Sequence, residues 1–237
     1  MSKTSETGHA KNVANLALLN SHIAAVGALY NPSNPAIQLA NLQDLYTKAH
    51  AEQERVNTLL APYTVAVDKR EAIFAPLSKQ ITKIHKAFKA SDAVSAAQLE
   101  DFMSISRKLK GSKKFKQIKA TTTEEEQKSH STSQMSYDQR TNHMEQLIAL
   151  LQNTPTYNPN EVEFKLTSLQ AQKDTMLQST QEVSNAYIQL NNARSNRNQV
   201  LDLLVDTANK AKDYLATILD TKSPQYKAAS KIQFRKN

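Results

Sequence analysis

The chain has no cysteine, no tryptophan and only three glycines in 237 residues. Without cysteine, disulfides, thiolate nucleophiles and cysteine metal sites are excluded together. Glycine sits far below the roughly 7% of an average protein, which argues against β-sandwiches, barrels and glycine-rich phosphate loops, since these need residues tolerant of positive φ. Long apolar runs are missing as well. The longest strictly apolar stretch, Leu147 to Leu151, is five residues, whereas a transmembrane helix needs about 20. The N-terminal MSKTSETGHAKN has no apolar h-region. No secretory signal is therefore visible, and the expected compartment is the cytoplasm, with leaderless export left open.

What is present is Ala, Gln, Lys, Leu and Asn at a hydrophobic share of 39%, the composition of long, well-solvated helices. The length suffices to bury a sizeable core. The expected fold class is all-α.

An internal duplication is legible. Tyr30-Asn31-Pro32 recurs as Tyr157-Asn158-Pro159, and a 127-residue shift aligns 30–91 with 157–218 without a gap, with 11 of 62 positions identical. Chance gives about four at average residue frequencies. Steps of four and three meet apolar residues at 13 of 17 positions from Val162 to Ile218, and at 14 of 17 from Pro35 to Ser91. A 3.5-residue period over 57 residues predicts a coiled-coil helix about 85 Å long in each copy. Tyr46, Tyr63 and Phe74 lie on this seam and are expected in the core. Pro62 and Pro76 interrupt the first copy only and predict kinks, with a broken helix as the alternative.

Shorter amphipathic helices are expected before each long one, at about 11–28 and 138–153, and after each, at 94–109 and about 224–232. Gly27 and Gly111 fall at or past helix ends. The resulting organisation is a helical repeat over 1–110, a flexible charged linker over 111–135 and a second helical repeat over 136–237, the two repeats packing as one structural unit. Neither copy can bury its seam alone. The expected arrangement sets the long helices antiparallel, with a four-helix cluster at each end of an elongated dumbbell-like bundle: one long helix's start, the other's finish, a leading short helix and a trailing one.

The segments GHAKNVANL, YNPSNPAIQLANL, DKREAIFAPL, SQMSYDQ and SPQYKAASKIQF, with the duplicated Tyr-Asn-Pro turn and an Ala-x-x-x-Arg element ending at Arg70 and Arg197, resemble a two-repeat all-helical protein family of Bacteroidota. The resemblance covers most of the chain and implies this architecture and a bacterial source. It implies no activity, substrate or site. The segment 111–135 is less proline-rich than the linker of that family.

Chemical motifs are sparse. The histidines His9, His22, His50, His85, His130 and His143 include no His-x-x-x-His pair, so no metal site is expected. Lys110-Gly111-Ser112-Lys113 looks like a phosphate loop but lacks its first glycine and a preceding strand. Glu124-Glu125-Glu126 reads as a solvated run. No catalytic residue, cofactor or small-molecule substrate is indicated, and an enzyme is not expected. Arg70 and Arg197 occupy equivalent seam positions. As a register device, Arg70 would face Glu182 near Val183, and Arg197 would face Glu52 or Glu54 near Val56; otherwise each arginine snorkels to solvent.

Charge is the remaining signal. Residues 103–119 carry Arg107, Lys108, Lys110, Lys113, Lys114, Lys116 and Lys119 without an acid, and 221–237 carry Lys222, Lys227, Lys231, Arg235 and Lys236 without an acid. The rest of the chain has 18 basic and 22 acidic residues. Such clusters bind polyanions, with Phe115 and Phe234 placed to stack or insert, or else serve as solubilising segments. The leading functional reading is a structural or interaction protein (scaffold, spacer or assembly subunit) with a protein partner or self-association. A nucleic-acid- or polyanion-binding accessory protein is the alternative, and a membrane-active helical protein ranks lowest.

Overall fold

The computed structural model describes residues 8–110 and 126–236, the side chains of 126–136 apart. Seven α-helices follow in order: α1 (His9–Val26), α2 (Leu39–Phe74), α3 (Leu77–Lys89), α4 (Ala96–Lys110), α5 (Glu126–Gln152), α6 (Leu166–Ile218) and α7 (Pro224–Ser230). Among the described residues there is no strand, so the chain is all-α. Helix α5 starts at Glu126, inside the stretch expected to be linker; residues 111–125 lie outside the described residues.

Local chemistry sets the boundaries. Gly27 ends α1 at φ 65, a left-handed conformation that side chains disfavour. The 53 residues of α6 contain no proline or glycine and run without a break. The stretch that the 127-residue shift aligns with it, 39–91, is not one helix. It is divided into the 36 residues of α2 and the 13 of α3. Pro62 lies within α2, but Pro76, which has no N–H to donate, ends the run. The last bond of α2 is Ala75 N–H to Glu71 O, and the Pro76 carbonyl then accepts from both Lys79 and Gln80 to start α3. Ser95 and Gln98 open α4 with reciprocal side chain–backbone bonds of 3.2 and 2.9 Å, a capping box.

The chain divides into two compact units that do not coincide with the halves 1–110 and 136–237. Unit 1 is Met1–Pro62 with Tyr187–Asn237, and unit 2 is Tyr63–Ala186. In unit 1, Leu16, Leu19 and Ile23 of α1 share a core with Leu42 and Ala49 of α2, Leu204, Ala208, Ala211 and Leu215 of α6, and Ala229, Ile232 and Phe234 from α7 and the segment after it. In unit 2, Met144, Leu147 and Leu151 of α5 share a core with Phe74, Leu77, Ile81, Ile84 and Phe88 of α2 and α3, Phe102 and Leu109 of α4, and Leu169 and Met176 of α6. Each fully buried Leu, Ile or Phe contributes about 1.5–3 kcal/mol. Tyr63 and Phe74 are buried, and Tyr46 packs at the edge of the unit 1 core.

The Tyr-Asn-Pro turns have matching geometry. The Tyr30 hydroxyl donates to the Ile37 carbonyl at 2.7 Å, and the Tyr157 hydroxyl to the Phe164 carbonyl at 2.9 Å. Tyr30 N–H donates to Gly27 O at 3.0 Å and Tyr157 N–H to Thr154 O at 2.9 Å. A 3-10 turn follows each tyrosine, at Pro35–Ile37 and Val162–Phe164. Burial pushes both phenols up to about 12.

Candidate interaction surfaces

The basic segments fall in different units. In unit 2, Arg107 and Lys108 are exposed on the last turn of α4 and Lys110 is half-buried. Lys113, Lys114, Lys116, Lys119 and Phe115 lie outside the described residues. Packed against α4 is α3, which carries Lys79, Lys83, Lys86 and Lys89, all exposed, and no acid. Sequence reasoning passed over these four lysines, although the acid-free count that singled out 103–119 also applies to 77–89. The two helices converge at His85, whose ring lies 5.1 Å from that of Phe102. Burial lowers the His85 pKa first, and the Lys110 and Lys89 ammoniums lower it further. Lys83 meets Glu163 at 3.4 Å.

In unit 1, Lys222, Lys227, Lys231, Arg235 and Lys236 are exposed. Acids of α6 offset part of this charge, and the Lys236 ammonium donates to Asp206 at 2.8 Å. Phe234 is 9% exposed and belongs to the core. The expectation that it stacks on a polyanion is corrected: its side chain fills an apolar gap.

The arginines do not meet the carboxylates expected of a register device. Arg70 is 3% exposed, with Nε and Nη1 buried and without a hydrogen-bond partner. Its guanidinium lies 4.1 Å over the Tyr137 ring, and burial depresses its pKa. Glu182 is engaged by the neighbouring lysine: Lys69 Nζ donates to Glu182 Oε2 at 2.7 Å, and that hydrogen bond lowers the Glu182 pKa. The seam therefore holds Arg70 against an aromatic face, and the cation on the surface meets the carboxylate. Tyr137 packs edge-on to Phe74 at 4.7 Å, and Arg140 lies 5.1 Å over the Phe74 ring. Arg140 Nε donates to Leu109 O at 2.9 Å and Nη2 to Phe74 O at 3.3 Å. In unit 1, Arg197 is half-buried and donates to Asn198 Oδ1 from Nε and Nη2. Glu52 and Glu54, its expected partners, lie beside Arg55 at 4.0 Å and His50 at 3.7 Å.

Among the described residues no cluster of His, Asp and Glu could hold a metal ion. A shallow groove lined by Asp174, Leu177, Gln178, Gln181, Glu182 and Asn185 runs along α6 alone. Among the described residues one stretch, His9–Leu29, is long and apolar enough on average to cross a membrane; Asn12, Asn15, Asn20 and Ser21 interrupt it, so it contains no long strictly apolar run. Its Leu16, Leu19 and Ile23 face the unit 1 core at 1% exposure or less. No protein-family model matches the chain, and no curated protein or solved structure matches it significantly.

Proposed function

We propose that this chain is a non-enzymatic structural or interaction protein, a scaffold, spacer or assembly subunit, built by internal duplication. The observation that carries the reading is where the buried polar groups go. Asn20, Tyr30, Arg140 and Tyr157 each hold a main-chain carbonyl, and Arg70 lies on a ring face. Within its own unit each of these groups fixes a helix or a turn, the use a framework makes of its buried polar groups. The matched tyrosine turns support the duplication. Crosslinking in the source organism followed by affinity purification tests the reading. A stoichiometric protein partner or a homo-oligomer is expected, and recovery of the chain alone overturns it.

The second reading, a polyanion-binding accessory protein, rests on the packed pair α3 and α4, where Lys79, Lys86, Lys89, Arg107 and Lys108 are exposed and the Lys89 and Lys110 ammoniums act on His85. Such binding weakens steeply with salt. A mobility-shift titration with duplex DNA at two salt concentrations should show that loss of affinity. No binding at low salt, or binding indifferent to salt, removes this reading.

A further inference from the structure

Residues 231–236 follow α7 without forming a helix, and the pattern of their burial is that of a bound extended peptide. Ile232 and Phe234 are buried at 6% and 9% exposure, while Lys231, Gln233, Arg235 and Lys236 are exposed. Side chains from two helices hold the main chain. From α1, Asn15 Nδ2 donates to Gln233 O at 2.7 Å and Asn12 Nδ2 to Arg235 O at 2.7 Å, while Asn12 Oδ1 accepts from Arg235 N–H at 3.3 Å. From α6, Lys212 Nζ donates to Ser230 O at 3.2 Å and also to Ile232 O. Carbonyls 233 and 235 thus face α1, and 230 and 232 face α6. The outer end of the segment is tied by Lys236 to Asp206.

This is how sites for extended peptides work: main-chain contacts supply affinity, pockets take alternate side chains, and charge at the rim sets polarity. The buried amide of Asn12, 5% exposed, offers a donor and an acceptor to a single residue, as a neighbouring strand does. The ligand whose chemistry fits is apolar–polar–apolar–basic, the pattern of residues 232–235 themselves.

We propose that the groove between α1 and α6 is an extended-peptide site, filled in cis by residues 231–236 and filled in trans by the same segment of a second copy. Asn12, Asn15, Lys212 and Asp206 all bond this segment, and each copy carries one, so mutual exchange closes a symmetric dimer at little cost in new contacts. The proposal deepens the self-association reading above, and its two tests separate the groove from the assembly.

The first test uses the full chain and its Phe234→Ala variant, titrated with a fluorescent peptide of residues 229–237 and followed by anisotropy. Weakening the cis segment frees the groove. The variant should keep its cooperative melt and bind the peptide at least about tenfold more tightly than the unmodified chain, because it no longer competes at high effective concentration. A Phe234→Ala peptide should bind about tenfold more weakly than the natural peptide. A folded variant that binds no better than the unmodified chain overturns the groove, and so does a variant that loses its cooperative melt, since the segment is then inseparable core. The second test is light scattering of the unmodified chain over about a hundredfold range of concentration. Dimer that grows with concentration and is reduced in Phe234→Ala is expected. A chain that stays monomeric throughout overturns the exchange even where the peptide binds.

Discussion

In unit 2 the helix α5 presents Tyr137 to the Arg70 guanidinium and Arg140 to the carbonyls of Leu109 and Phe74. In the sequence the 127-residue shift pairs Arg70 with Arg197, and a shift of 128, which pairs Leu19 with Leu147 in the helices before the long ones, pairs Tyr137 with His9 and Arg140 with Asn12 of unit 1. There Arg197 is half-buried and lowers the pKa of His9, a smaller effect than the burial of His9 itself, and Asn12 holds both polar groups of Arg235. In the sequence alignment a ring and a guanidinium on α5 are paired with an imidazole and an amide on α1. The apolar residues differ in a matching way. Ile81, Ile84 and Phe88 fill the unit 2 core, which the helix α4 completes. Ala208, Ala211 and Leu215 occupy the equivalent places in unit 1, whose core is completed by α7 with the extended Ile232 and Phe234. Smaller side chains on α6 thus go with a threaded segment, and larger ones on α3 with a helix. A core accepts such differences in side-chain size when the total volume is redistributed among neighbours.

The sharpest way to break this comparison is to truncate the leading helix of each unit at matching positions. Tyr137→Ala removes a buried ring that contacts both Arg70 and Phe74 and leaves the guanidinium uncovered, so it should cost about 3–5 kcal/mol in urea unfolding. His9→Ala should cost less than about 1 kcal/mol. Equal losses would mean that the two helices are anchored alike, against the contrast drawn from Arg70.

Where the units agree, their responses should agree. Tyr30→Phe and Tyr157→Phe each strand a buried carbonyl, and each should cost about 1–3 kcal/mol, by the same amount within about 0.5 kcal/mol. The same pair sets an alkaline limit. Both phenols are held near 12 in the fold, against about 10 in the unfolded chain. Between those values the folded state binds more protons than the unfolded one, so this contribution is complete below about pH 10 and is lost as pH rises toward 12. Melting temperature should therefore fall over that interval, and less steeply in the Tyr30→Phe/Tyr157→Phe double variant. Parallel curves for the two chains would contradict the assignment.

Much of the helical order was legible because its signals are local and periodic. The four-and-three apolar steps place Leu42, Ala49, Val56, Leu77 and Ile81 in the first copy, and Leu169, Met176, Val183, Leu204 and Ala208 in the second, at positions that are buried. The break at Pro76 was less legible, since the apolar phase continues across it and only the missing N–H at Pro76 decides the outcome. The environment of Arg70 was not legible at all. Pairing across a seam was inferred from charge alone, whereas α5, joined through a segment of no readable register, brings Tyr137 to it. Phe234 was misread for a related reason: its neighbours Arg235 and Lys236 mark an exposed basic tail, and the alternation Ile232-x-Phe234 is too short to outweigh them. The lysines of α3 were legible but uncounted, because the apolar seam drew the reading of that segment.

The arginines provide a smaller contrast between the units. Arg70→Leu removes two buried guanidinium nitrogens without hydrogen-bond partners and replaces them with apolar volume. Exchanging a poorly satisfied buried charge for a hydrophobic residue is often neutral or stabilising, so the expected change is a gain of about 1 kcal/mol. Arg197→Leu, at a half-buried site bonded to its own neighbour, should change stability by less than about 0.5 kcal/mol. A large loss at Arg70 would restore its role as a register device.

The smallest effect concerns the connection that leads into the last helix of each unit. Between α3 and α4, Ala93 has φ 57, the one non-glycine residue with positive φ among those described; the segment between α6 and α7 requires no such conformation. A left-handed alanine costs about 1–2 kcal/mol, and glycine removes that strain while adding about 0.4–1 kcal/mol of unfolded-state entropy. Ala93→Gly should therefore raise stability by about 0.5 kcal/mol, or about 1–2 °C in Tm for a chain of this size. Ala90→Gly, three residues earlier at φ −85, relieves nothing and should lower stability by a similar amount. The pair holds composition constant and changes only the sign of φ at the substituted residue. If Ala93→Gly also destabilises, the turn is held by its side chain and not strained by it, and this difference between the two connections disappears.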